Sequence, residues 1–195
     1  KRKNYDLHNV TGFYVLIIGI IFAITGLVWG FQWFAYSYYT MSGGEKSLLY
    51  EEPLSKKKQK NTTTIVKPLD AVWLQMQREY PLAKSIEIHP PETNMSPIAA
   101  NANSHKGTYW KIDYRYFDQY SLKEMSVSHI WGRKTADKIA DNLMKMNYDI
   151  HTGAILGLPG KIFAFLCSLL IASLPISGFY IWWGRNRKNK TAVLN

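Results

Sequence analysis

Residues 7–44 contain no Asp, Glu, Lys or Arg, and neither do residues 162–184. The first window holds VLIIGIIFAITGLVWGFQWF and the second reads IFAFLCSLLIASLPISGFYIWWG. A helix needs roughly 20 apolar residues to cross about 30 Å of hydrocarbon, and each run is long enough. Two crossings at opposite ends of a chain place both termini on one side of a bilayer and everything between them on the other. The expected architecture is therefore an α-helical integral membrane protein.

A secretory signal peptide is the competitor for the first run, since Lys1, Arg2 and Lys3 precede it. The apolar and aromatic stretch is too long for a signal core, however, and no small-residue cleavage site follows. The first residue is Lys1 rather than Met, so a piece of a longer protein is expected. Arg185, Arg187, Lys188 and Lys190 follow the second run, so both flanks are basic and both ends are expected in the cytoplasm. Residues 45–161 carry 17 Lys and Arg against 13 Asp and Glu, but long translocated domains cross largely regardless of charge. Topology thus accounts for most of the net charge of +10, and nucleic acid is not needed as a partner. Trp29, Trp33, Phe34, Tyr36, Tyr38 and Tyr39 crowd the outer exit of the first run, and Trp182 and Trp183 the inner exit of the second, as interfacial belts do. Cys167 is the only cysteine, so neither an internal disulfide nor a thiolate metal cluster can form.

Between the spans, a lysine-rich stretch over residues 45–65 reads as a polar linker. Pro68 and Pro81 then bracket a short helix carrying Leu69, Val72, Met76 and Tyr80. Alternation at Ile86 and Ile88 predicts a strand, and further strands are expected over 97–102, 108–117 and 122–127, in a small antiparallel sheet. No glycine-rich phosphate loop, HExxH pair or nucleophile triad stands out in this region. Residues 128–150 include an amphipathic stripe of Ile139, Leu143 and Met146, suited to a core or to a membrane surface.

The histidines are the candidates for chemistry. His8 stands at the cytoplasmic mouth of the first run, and Gly12, Gly19 and Gly26 continue its helix face. That stripe suits either helix packing or close approach of a flat cofactor, and His8 itself suits either an interfacial or a ligand role. His151 stands at the opposite mouth, in NYDIHTGAILGLPGK. There Gly153, Gly157 and Gly160 permit close approach, while Pro159 and Gly160 can instead mark a break before the second span. An imidazole can ligate a metal through one nitrogen while the other is held by a hydrogen-bond acceptor. Asp6 and Asp149, two residues before each histidine, are weak candidates for that acceptor. Because His8 and His151 enter from opposite leaflets, roughly 30 Å apart, they cannot share one metal. Pro175 is expected to loosen the middle of the second span, leaving Ser177 and Gly178 to pack on a neighbouring helix. His89, His105 and His129 read as structural or exposed.

YDLHNVTGFYVLIIGIIFAITGLVWG, LDAVWLQMQREYP, YFDQYSLKEM and DIHTGAILGLPGKIFAFLCSLLIASLPISGFYIWWGR together resemble the PepSY-associated transmembrane proteins. That family includes iron-regulated membrane proteins and ferric-siderophore reductases of the bacterial inner membrane. The resemblance implies an extracytoplasmic small α+β PepSY-like domain between two transmembrane helices. The corresponding divisions are a cytoplasmic flank (1–9), a membrane helix (10–38), the linker (45–65), the PepSY-like domain (66–127), an amphipathic or interfacial helix (128–150), a glycine-rich lead-in with the second membrane helix (151–184) and a basic tail (185–195). It also implies that His8 and His151 are axial ligands of two b-type haems, each completed by a histidine from an N-terminal half of the same protein or from a homo-oligomer partner. The implied activity is electron transfer across the bacterial inner membrane to a ferric siderophore or another ferric chelate. A non-enzymatic membrane sensor, whose PepSY-like domain binds a protein or peptide, is the alternative. A transporter is less well supported, because neither span carries a charged interior residue.

Overall fold

A computed structural model describes residues 2–56 and 67–193, with residues 187–193 as helical backbone alone. The lysine run at 57–60 and the rest of the linker to residue 65 lie outside the described residues. The chain divides into two compact units, one formed by Lys1–Gly30 with Ile150–Asn195 and the other by Phe31–Asp149.

The first unit is a pair of antiparallel helices. Helix α1 spans Arg2–Gly30 and helix α5 spans Gly157–Val193. Both are long and apolar enough to cross a membrane. Leu16, Ile17, Phe165, Leu166 and Leu169 are each more than half exposed. Helices that are apolar around their circumference, beyond the strip where they touch, match a lipid surrounding. The seam is made by small residues: a side chain at Gly12 would meet Leu174, and one at Gly19 would meet Ile171. Here the glycine stripe is a helix-packing groove. Helix α5 continues through Pro175, which has no N–H to offer the Ile171 carbonyl.

The sequence suggested one helix over 10–38, whereas helix α1 stops at Gly30. Phe31 is extended, with φ −135° and ψ 114°, and helix α2 (Gln32–Met41) begins after it.

The second unit is built on a four-stranded antiparallel meander in the order β1 (Ser85–His89), β2 (Ile98–Asn103), β3 (Asp113–Phe117) and β4 (Glu124–Met125). Helix α3 (Pro68–Glu79) starts with proline in its first turn, where the missing N–H costs nothing. It lays Val72 and Met76 on one sheet face, against Ile98, Ala100, Ala102 and Phe117, with Ile86 and Ile88 alongside. Register places Ala100 opposite Arg115 and Ile98 opposite Phe117, so Arg115 shares the core face. The strand expected over 108–117 begins only at Asp113, because residues 109–110 are turned onto a carboxylate. Tyr109 N and Trp110 N both donate to buried Asp149, at 2.8 Å to Oδ2.

Helix α4 (Ile139–His151) turns several polar side chains inward. Ile139 is 79% exposed, while Ala140, Asp141, Asn147 and Asp149 are buried. Its polar side faces inward because it organises loops. Asp141 takes a hydrogen bond from Tyr39 Oη and an ion pair from Lys46 at 3.0 Å, and Lys145 pairs with Asp137 at 2.6 Å.

Candidate functional site: two histidine seats on hydroxyl–glycine pairs

His8, one helical turn past Asn4 on helix α1, reaches the Ser177–Gly178 pair of helix α5. His8 Nδ1 lies 2.8 Å from Ser177 Oγ. A methyl group placed on Gly178 would stand 3.4 Å from His8 Cε1, so glycine gives the ring edge its room. At the other end of the pair, His151 reaches back to Thr25–Gly26 of helix α1. His151 Nδ1 lies 2.8 Å from Thr25 Oγ1, and a methyl on Gly26 would stand 3.6 Å from His151 Cε1. The Phe22 ring flanks it at 5.8 Å. The two seats repeat one device: His8 of helix α1 meets a hydroxyl and a glycine of helix α5, and His151, at the end of helix α4, meets a hydroxyl and a glycine of helix α1.

Thr25 Oγ1 donates to Ile21 O at 2.7 Å, and Ser177 Oγ is 3.1 Å from both Ser173 O and Leu174 O. A hydroxyl whose proton goes to the backbone can accept from Nδ1–H, which is the neutral tautomer that frees the other ring nitrogen. Nε2 then keeps its lone pair, the state in which imidazole ligates a metal.

The local fold after His151 exists to make the turn. Gly153 adopts φ +73°, and a side chain on it would run into the Gly160 carbonyl, while one on Gly160 would run into the Gly153 carbonyl. Helix α5 begins at Gly157, before Pro159, so the break falls over 152–156 and Pro159 sits in the first helical turn. Gly153 and Gly160 thus serve a backbone crossing, with Gly153 N donating to Ile150 O at 3.2 Å.

The carboxylates proposed as histidine partners are engaged elsewhere. Asp6 pairs with Arg2 at 3.9 Å, and Asp149 is spent on the Tyr109 and Trp110 amides. Sequence reasoning missed Thr25 and understated Ser177. The available signal was the Ser–Gly and Thr–Gly pairs, each a hydroxyl followed by a residue without a side chain. Among the described residues no group of three His, Cys, Asp or Glu side chains is placed to hold a metal ion. Each histidine therefore offers a single ligand position.

Residues 1–185 match the family described as PepSY-associated TM region. The chain belongs to that family. No curated protein matches it. This PepSY-associated chain carries its small α+β unit between two apolar terminal helices, and both histidines highlighted by the sequence sit in the helical unit. The other three lie in the sheet-containing unit. His89 and His105 are at its surface, His89 3.7 Å from Glu87 and His105 3.1 Å from Lys111. His129 is buried at 1% exposure among the rings of Tyr50, Tyr116 and Trp131, with centroids 5.1, 5.7 and 5.9 Å away. Burial pushes its pKa below the usual imidazole value, and a neutral ring suits that aromatic cage.

Proposed function

We propose that this protein carries electrons across the bacterial inner membrane by means of b-type haem and reduces a ferric siderophore or another ferric chelate in iron uptake. The observation that supports this most is the repeated seat. Two imidazoles, in the lower half of one helix pair and the upper half of the same pair, are held through Nδ1 by a hydroxyl and backed by a glycine. Such second-layer hydrogen bonding is how metal-ligating histidines are oriented and their basicity set. His8 and Gly26, where His151 rests, are separated along helix α1 by about 27 Å. The histidines consequently serve separate sites, one near each membrane face.

Bound haem would supply the one-electron couple of its iron. The chain's own residues do the positioning. Ser177 and Thr25 each hold a proton at Nδ1, which leaves Nε2 as the ligand atom. Gly178 and Gly26 let the imidazole edge lie against a helix, and Phe22 excludes water from the His151 ring. Each haem would need a further ligand from another half of the same protein or from a second copy. In this reading the basic flanks lie in the cytoplasm and the α+β unit is periplasmic, where a ferric chelate would arrive.

Visible spectra of the full-length protein purified from membranes test the proposal. A reduced b-type spectrum that is discharged by a ferric chelate is the expected result. A well-folded protein that takes up no haem overturns it. Partner binding by that haem-free protein, dependent on residues 68–127, would favour the membrane sensor instead.

A further inference from the structure

A cleft of about 310 Å³ opens at the end of the helix pair nearest His8, lined by Arg2, Asn4, Tyr5, Tyr180, Ile181 and Arg185. It continues the His8 seat. Asn4 and Tyr5 stand one turn before His8 on helix α1, and Ile181 stands one turn after Ser177 on helix α5, so the cleft begins about 6 Å beyond the imidazole. Its rim carries two guanidinium groups. Arg2 shares its charge with Asp6 at 3.9 Å. Arg185 makes no ion pair among the described residues and is held over the Tyr5 ring at 5.9 Å.

The chemistry of the cleft is thus that of an anion site with flat walls. Tyr5 and Tyr180 offer ring faces and hydroxyls, and Arg185 offers a planar fork matched to a carboxylate or phosphate oxygen pair. A haem ligated near a membrane face has an apolar macrocycle and two carboxylates that must reach the polar layer. A cationic cleft one turn outward from the ligand is where those carboxylates would arrive. We infer that the Arg2–Arg185 cleft receives the propionate carboxylates of a haem ligated by His8, with Arg185 as the main contact. The inference rests on the haem reading above. An anionic lipid headgroup carries similar oxygen chemistry and is the competing source.

The test uses the full-length holoprotein in nanodiscs containing phosphatidylglycerol, comparing wild type with R185Q and R2Q/R185Q. One of the two haems should dissociate to apomyoglobin about tenfold faster in the double variant. Its propionate bending band in the resonance Raman spectrum should shift, while its low-spin visible spectrum persists because His8 is untouched. K3Q, which removes one charge outside the cleft as R185Q removes one inside it, should leave the dissociation rate unchanged. Haem dissociation and Raman bands unchanged in R2Q/R185Q overturn the inference and leave the haem reading standing. Loss of bound phosphatidylglycerol with haem behaviour unchanged assigns the cleft to lipid and overturns it likewise. A K3Q protein that loses haem as fast as R185Q reduces the effect to surface charge and also overturns it. A wild-type protein with no haem removes the haem reading itself.

Discussion

Replacing Arg115 by methionine keeps an unbranched apolar stem and removes the charge around which the α+β unit is closed. Arg115 is 2% exposed. It donates to Glu79 at 2.5 Å and to Glu124 at 2.6 and 3.1 Å, and its guanidinium lies 4.8 Å from the Phe117 ring centre. Breaking a buried pair from one side costs about 3–5 kcal/mol, because the other charge is stranded. Here the stranded carboxylates are 37% and 29% exposed, and Arg133 stays with Glu124 at 2.6 Å. Water and Arg133 soften the loss, so about 2–3 kcal/mol is expected. That corresponds to roughly 30- to 160-fold faster exchange of the most protected β2 and β3 amides. Hydrogen exchange read by mass spectrometry on the full protein measures it. The triple variant R115M/E79L/E124L should recover most of the protection, since an apolar trio can replace a buried ion cluster.

The same cluster sets an acid limit. Burial alone would raise the Glu124 carboxyl, but hydrogen bonds from Arg133 and Arg115 hold it down to about 2, from a usual value of 4.5. A depressed carboxyl contributes stability that is complete above its unfolded pKa and is lost as pH falls through the folded one. After correction for intrinsic rates, wild-type protection of β3 should therefore decline between about pH 4.5 and 2. R115M should show a smaller decline. Exchange in R115M within threefold of wild type at neutral pH would refute the reasoning.

Three further substitutions address the seats. Gly153→Ala must hold a side chain at φ +73° against the Gly160 carbonyl; about 2 kcal/mol or more should be lost locally, seen as faster amide exchange over residues 150–160. Thr25→Val removes the acceptor for His151 Nδ1–H, and Ser177→Ala removes that for His8. Each should weaken haem binding at its own site roughly 10- to 100-fold, read by haem titration, with Thr25→Ser restoring most of it.

Much of the helical unit was legible because its signals are long. Twenty apolar residues in a row cannot be read many ways, and a glycine every seventh residue marks a seam whichever partner fills it. Helix α3 was legible from its bracketing prolines, and β1 from the alternation of Ile86 and Ile88. The failures were cases in which a distant residue outvoted a local pattern. Asp149 draws the amides at 109–110 out of strand geometry. Helix α4 buries Asp141 because Tyr39, Lys46 and the Lys138 amide meet it there, and the stripe of Ile139, Leu143 and Met146 gave no sign of that. The break at Phe31 has no proline or charge to announce it. In the candidate site the two histidines stood out, since histidine beside an apolar run is conspicuous. Their partners did not. A serine or threonine in a span is ordinarily satisfied by its own helix carbonyls, and only the packed helices reveal that Ser177 and Thr25 also meet imidazoles.

The central claim is that His8 and His151 each hold a different haem. Spectra and haem content of full-length wild type, His8→Ala and His151→Ala test it most directly. B-type haem is expected in wild type, with loss of about half in each variant and loss of distinct populations with separable midpoint potentials. Haem content and spectra unchanged in both variants, or one population removed equally by either, would contradict it.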